Sequence, residues 1–227
     1  MIVSVNAKEE LVLNVDWPGW PLADNKYGHE FDYDARIRMI TGGRKLIPFI
    51  AKYKNTLGST FLEIGPFFNP LLKSNELDRA FPDARQEVFF LENDYHAANW
   101  LIDQYNCQVL NINLNGQWFK TIIEVELEKH GIGHGVDSII ISQVLNYVNS
   151  AKLLKELFDL LSSGGYLFLN NVCNYGLPPL FSVNRCTSNE DIIKTCQEIG
   201  YEIVEFEILP PLEKEPEGRL LIVLRKG

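Results

Sequence analysis

From residue 60 onward, short apolar runs alternate with amphipathic stretches, until the last two apolar runs follow each other without a helix between them. Runs of strand character fall at 60–64, 87–91, 107–112, 136–142, 165–170, 201–208 and 218–225. Helical periodicity covers 70–80, 95–104, 117–129, 150–161 and 189–199. Strands that alternate with helices predict a parallel sheet covered on both faces. The final pair, joined by the short loop 210–218, reads as an antiparallel hairpin. The expected fold is therefore α/β: a doubly wound, seven-stranded, mostly parallel sheet closed by a C-terminal antiparallel hairpin.

The first 58 residues have a different texture. Leu11, Leu13 and Val15 alternate with polar residues and suit a short strand, and Trp17-Pro18-Gly19-Trp20-Pro21 then punctuates the chain. Helical character over 34–39 and 44–53 is separated by a break at Thr41-Gly42-Gly43. The expected organisation is an arm, residues 1–58, over a sheet domain of residues 59–227. At 227 residues with 46% hydrophobic side chains, the chain can bury a substantial core as one domain plus arm.

A net charge of −9, spread along the chain, opposes binding to a phosphate backbone, so nucleic acid is not the expected partner. The densest basic cluster, Arg36, Arg38, Arg44 and Lys45, reads as a solvated helix face or as local steering for an acidic ligand. Cys107, Cys173, Cys186 and Cys196 show neither Cys-x-x-Cys nor zinc-like spacing, so free thiols in a reducing compartment are expected. With no basic-then-apolar leader and no membrane-span pattern, the expectation is a cytoplasmic protein with no membrane partner.

Chemistry is expected where strands end, because in such sheets ligands bind beyond the strands' carboxyl ends. Four ends carry polar groups. Thr60-Phe61-Leu62-Glu63-Ile64-Gly65 is followed by the turn Pro66-Phe67-Phe68-Asn69-Pro70. Glu87-Val88-Phe89-Phe90-Leu91-Glu92-Asn93-Asp94 runs from apolar strand into an acidic cluster, with Asp94 placed to cap the next helix. The third run ends at Asn111-Ile112-Asn113-Leu114, and the fourth at Ser142-Gln143-Val144-Leu145-Asn146-Tyr147-Val148.

In order and spacing these segments resemble the signatures of class I S-adenosylmethionine-dependent methyltransferases. The helix, glycine turn and strand at 160–169 add to the resemblance, which spans residues 60–225. It implies S-adenosylmethionine as cofactor, with Glu63 near the methionine amino group and Gly65, Pro66 and Phe67 passing close to it. It also implies Glu92, with Asn93, on the ribose hydroxyls and Asn113, with Leu114, at the adenine. Gln143 and Val144 would face cofactor and acceptor, with Asn146 and Tyr147 beside them. The family usually has glycine where this chain has Phe67, which adds bulk beside the expected sulfonium.

Absences narrow the acceptor. No Asn/Asp-Pro-Pro-Tyr/Phe follows the fourth strand, no Pro-Cys nucleophile is present, and Ser142-Gln143 with Asn170-Asn171 is a poor donor set for a hard cation. The remaining expectation is a metal-independent enzyme acting on oxygen or nitrogen of a small molecule. Trp20, Tyr33 and Arg36 of the arm, with Asn146, are the candidate acceptor contacts, and His29 and Tyr147 are the candidate catalytic groups, since an imidazole titrates near neutrality. The competing reading is a degenerate methyltransferase fold that serves as a non-catalytic binding or scaffold protein, supported by Phe67 and Asn113. A nicotinamide-dependent reductase is disfavoured because Gly-x-Gly-x-x-Gly is missing. Oligomeric state is not legible.

Overall fold

Alternation of buried side chains decides the architecture. In the strand Thr60–Ile64 every residue is buried, as expected where both faces of a sheet are covered. The computed structural model describes residues 2–4, 14–16, 41–80, 87–133, 135–174, 183–213 and 215–227. Near the N-terminus, β1 (Ile2–Ser4) pairs antiparallel with β2 (Asn14–Asp16) as a separate two-stranded sheet. The expected strand around Val15 is thus present as β2; Leu11, Leu13 and the helix expected over 34–39 lie outside the described residues.

The main body runs α1 (Ile47–Tyr53), β3 (Thr60–Ile64), a 3₁₀ turn (Leu71–Lys73), α2 (Asn75–Ala80), β4 (Glu87–Glu92), α3 (Tyr95–Tyr105), β5 (Gln108–Asn111) and α4 (Phe119–Lys129). It continues through β6 (Val136–Ser142), a 3₁₀ turn (Leu145–Tyr147), α5 (Ser150–Leu160), β7 (Leu161–Asn171), α6 (Asn189–Ile199), β8 (Tyr201–Leu209) and β9 (Arg219–Lys226). The seven strands are ordered β5-β4-β3-β6-β7-β9-β8, and β9 runs antiparallel to both neighbours. This is the expected doubly wound sheet with its reversed hairpin, and the winding changes direction between β3 and β6.

Period-two alternation sends Leu62 and Ile64 to one face, where they pack with Phe119 and Ile123 of α4, Leu153 and Leu157 of α5 and Ile192 of α6. Phe61 and Phe168 go to the other face, with Ile50 of α1, Leu77 of α2 and Leu72. Each such side chain withdraws apolar surface from water, a gain of about 1.5–3 kcal/mol apiece.

Two boundaries depart from expectation. The helix expected over 70–80 is split: the Ser74 hydroxyl donates to the Leu71 carbonyl at 2.6 Å and accepts from the Leu77 N–H at 3.3 Å, so Ser74 caps α2 instead of continuing the turn before it. The break expected at Thr41-Gly42-Gly43 is absent; residues 41–44 are helical and the interruption falls at 45–46. The glycines there serve packing, as described below. Among the described residues no helix is long and apolar enough to cross a membrane.

Candidate functional site

Strand register assembles the site. Ile64 pairs with both Leu91 and Ile141, Glu92 pairs with Asn111, and Ser142 pairs with Asn170. The residues that end β5, β4, β3, β6 and β7 therefore stand in one row at the carboxyl edge, with the β3/β6 reversal in the middle. Open α/β sheets present their ligand crevice at such a point.

The turn after β3 is held by two acids. Glu63, 4% exposed, accepts from the Leu71 N–H at 2.7 Å and the Leu72 N–H at 2.9 Å. The resemblance directs this carboxylate to a ligand amino group; the structure turns both its oxygens to the amides that open the next 3₁₀ turn. Glu92, 6% exposed, reaches across from β4: one oxygen accepts from the Phe67 N–H and the other from the Asp94 N–H, each at 2.8 Å. Burial pushes the Glu92 carboxyl above its ordinary range, and the amides of Asp94 and Phe67 oppose that shift. Asp94 caps α3, accepting from the His96 and Ala97 N–H groups. Asn93 is exposed.

Phe67 has φ +52°, a left-handed conformation that L side chains adopt at a cost of about 1–2 kcal/mol. The turn thus has a glycine-like, left-handed backbone while carrying a ring. That ring meets Phe68 edge-on at 4.5 Å, and Phe68 meets Trp100 at 5.4 Å. Gly65 has φ +63°, and a Cβ there would fall 2.6 Å from Val144 Cγ2, so the turns after β3 and β6 close upon each other at a point where only glycine fits. Pro66 is buried beneath them.

The β6 end carries a second left-handed residue, Gln143, at φ +60° and 4% exposed. Its Oε1 accepts from the Val172 N–H at 3.2 Å, while its Nε2 is buried without a hydrogen-bond partner. Asn146 donates to the Val172 carbonyl at 2.7 Å and accepts from Arg185 at 3.4 Å, so its amide ties β6 to the chain beyond β7. Tyr147 lies in the 3₁₀ turn, its carbonyl accepting from Asn115 at 3.2 Å. The Asn113 side chain accepts from the Asn115 N–H at 2.9 Å, a turn of its own making, while Leu114 and Val144 belong to the core on the α4–α6 face. His29, Trp20, Tyr33 and Arg36 lie outside the described residues.

Sequence reasoning did not find the cluster at the ends of β6, β7 and the start of β9. Arg219, 4% exposed, donates to Asn170 Oδ1 at 3.1 Å and pairs with Glu215 at 2.6 Å. Asn170 donates to Ser142 Oγ at 2.8 Å. A Cβ on Gly42 would fall 2.0 Å from the Arg219 guanidinium, and one on Gly43 3.1 Å from Ser142 Oγ. The chain at 42–43 thus docks on this cluster because it lacks side chains there. The only trace in the sequence is the glycine pair itself.

Three cysteines, Cys173, Cys186 and Cys196, are buried free thiols; burial pushes Cys173 and Cys196 up to about 12, so neither presents a thiolate nucleophile at neutral pH. Among the described residues no three of His, Cys, Asp and Glu gather as metal ligands.

No family model matches the sequence, and no curated protein matches it either. Solved structures do match in fold. The N-methyltransferase NodS from Bradyrhizobium japonicum is 13% identical with a TM-score of 0.57, over 86% of this chain and 98% of that one. A second NodS structure is in complex with S-adenosyl-L-homocysteine. An S-adenosylmethionine-dependent methyltransferase from Clostridium acetobutylicum is 12% identical with a TM-score of 0.56, over 89% and 98% of the chains. The [4+2]-cyclase SpnF is 11% identical with a TM-score of 0.56, over 80% of each. The chain has the class I methyltransferase fold.

Proposed function

We propose that this protein is an S-adenosylmethionine-dependent methyltransferase of the cytoplasm that acts, without a metal, on oxygen or nitrogen of a small molecule. The observation that supports it most is the Glu92–Phe67 bridge. An acid at the end of β4 is held beside the turn after β3, where the fold's ligand crevice opens. A carboxylate offers about four acceptor positions, so two bonds to amides leave Glu92 able to accept from a ribose diol. In this reading Gly65, Pro66 and Phe67 line the cofactor, with Asn93, Asn113, Leu114, Gln143 and Val144 around it. Glu63 fixes the turn that the cofactor approaches.

S-adenosylmethionine supplies an electrophilic methyl on sulfonium. The protein's part is to align the acceptor in line with that methyl and exclude water. The arm, residues 1–58, caps the acceptor side. The docking of Gly42 against Arg219 supports that role, bringing chain from the arm to the ends of β6 and β7. Within it Trp20, Tyr33 and Arg36, with Asn146, contact the acceptor, and His29 or Tyr147 removes a proton where the acceptor must lose one. Metal independence is supported by the donor set: Asn170 Oδ1, at the strand end, is already taken by the Arg219 cation. Net charge −9 argues against a nucleic-acid acceptor.

One observation favours a second reading, a non-catalytic binding protein on the same fold: Phe67 stands where relatives have glycine, in a left-handed conformation. The deciding experiment is calorimetric titration of the full chain with S-adenosylmethionine and S-adenosylhomocysteine. Saturable micromolar binding of both is expected. A folded sample that binds neither sinks the enzyme reading and leaves the second.

A further inference from the structure

On the sheet face shared by Phe61 and Phe168, a cavity of about 370 Å³ lies between α1 and the β8–β9 hairpin. Its floor is apolar, made by Phe49, Leu209 and Leu221. Lys52 closes one side by bonding Glu205 at 2.5 Å. Three charges remain: Arg44, buried and turned to Asn69 and Glu76; Lys45, half-buried just before α1; and Glu207, exposed on the β8 wall. Register places Glu207 beside Leu221, so the acid rises directly from the apolar floor. Among the described residues neither the Lys45 ammonium nor the Glu207 carboxylate has a hydrogen-bond or ion-pair partner, although they line one cavity with opposite signs. The space between them keeps the pair apart.

We propose that this cavity is a binding site for a small amphoteric molecule, an amine and a carboxylate joined by an apolar body. The carboxylate pairs with Lys45, the ammonium with Glu207, and the apolar body covers Phe49, Leu209 and Leu221. The volume is within the range of small-molecule sites, which run from about 300 to 1,000 Å³. The site is separate from the β3/β6 crevice. β8 stands four places from β3 in the sheet, about 19 Å away at the usual strand spacing of about 4.8 Å, so the cavity is not the β3/β6 crevice. The proposal does not depend on methyl transfer.

Titration calorimetry of the full chain with 6-aminohexanoate and 5-aminopentanoate, against hexanoate and hexylamine as single-charge controls, tests it. The amino carboxylates are expected to saturate the protein, and each control to bind at least about tenfold more weakly. Reversing one charge, Lys45→Glu or Glu207→Lys, should weaken binding by about tenfold, and the double reversal should restore it by exchanging the poles. Leu209→Trp, which fills the cavity from the edge strand, should abolish binding while the melting transition persists. Three results would overturn the site: no saturation by either amino carboxylate up to about 10 mM, binding unchanged in Leu209→Trp, or a double reversal that restores nothing. S-adenosylhomocysteine affinity is read separately, so failure here leaves the cofactor reading where it stood.

Discussion

The two halves of the carboxyl edge are built from different chemistry. On the β3–β4 side, two buried carboxylates, Glu63 and Glu92, receive backbone amides of the turns they hold. On the β6–β7 side the polar groups are neutral amides and a hydroxyl, organised around one buried ion pair, Arg219–Glu215. Backbone amides fix a turn's shape and leave the acid's other lone pairs available. The salt bridge instead joins two side chains four residues apart in the C-terminal hairpin, and the arginine it holds forms the surface on which Gly42 docks. One half is suited to cradle a ligand against backbone; the other holds the segment before α1 against the end of the sheet.

The sharpest way to break that contrast is at the ion pair. Arg219→Met takes the arginine away from buried Glu215 and should destabilise the fold by about 3–5 kcal/mol in urea unfolding. Adding Glu215→Met should recover much of that loss, because two apolar residues of similar volume replace a buried pair at little net cost. If the double variant is no better than the single, the other bonds of Arg219, that to Asn170 among them, carry the loss. On the other half, Glu63→Ala strands the Leu71 and Leu72 amides and should cost about 1–3 kcal/mol, visible in the same experiment. A loss there below about 0.5 kcal/mol would mean water replaces the carboxylate and the turn holds itself.

The strand-and-helix order was legible because the central strands β3, β6 and β7 are buried on both faces over most of their length and read as apolar runs, while the edge strand β8 alternates with acids. Glu63 and Glu92 were legible as the acids that end those runs. Their partners were not, since backbone amides carry no residue identity: nothing in Leu71 or Phe67 announces a bond to a carboxylate. The Arg219 cluster was illegible for another reason. Gly42 and Arg219 meet only through tertiary packing, and a glycine pair reads as a break unless its neighbour in space is known. Ser74 split an expected helix by the same kind of local competition, a hydroxyl taking the amide that a longer helix would have used.

Glu92 separates binding from stability by pH. Its carboxyl titrates above the ordinary range because burial disfavours the charge. An acid with a raised folded-state pKa contributes stability below its unfolded pKa and loses it as pH rises through the folded one. Lowering pH through the window just above the ordinary glutamate value should therefore raise wild-type stability relative to Glu92→Gln. In the same window S-adenosylhomocysteine affinity should fall, as the protonated acid keeps fewer lone pairs for the ribose. Glu92→Ala should weaken binding at neutral pH by about 1–3 kcal/mol, roughly tenfold to a hundredfold. Parallel pH trends in stability and affinity, in place of opposite ones, would remove Glu92 from the binding surface.

The smallest effect asked of the molecule is also the one that best tells a working crevice from a relict one. Phe67→Gly removes a left-handed strain of about 1–2 kcal/mol. Against that stand a lost edge-on contact with Phe68 and the greater chain freedom of glycine, about 0.5–1 kcal/mol. The net change in stability should stay within about 1 kcal/mol, because the backbone already has the shape glycine prefers. Cofactor affinity then carries the information. If the ring only crowds the crevice, S-adenosylhomocysteine binds the variant as tightly or more tightly, and the acid-held half of the edge works as a cofactor cradle. If affinity drops while stability holds, the ring itself contacts the ligand, and the cradle depends on an aromatic held in a left-handed turn. If neither variant nor wild type binds, the turn keeps the fold's shape without its chemistry.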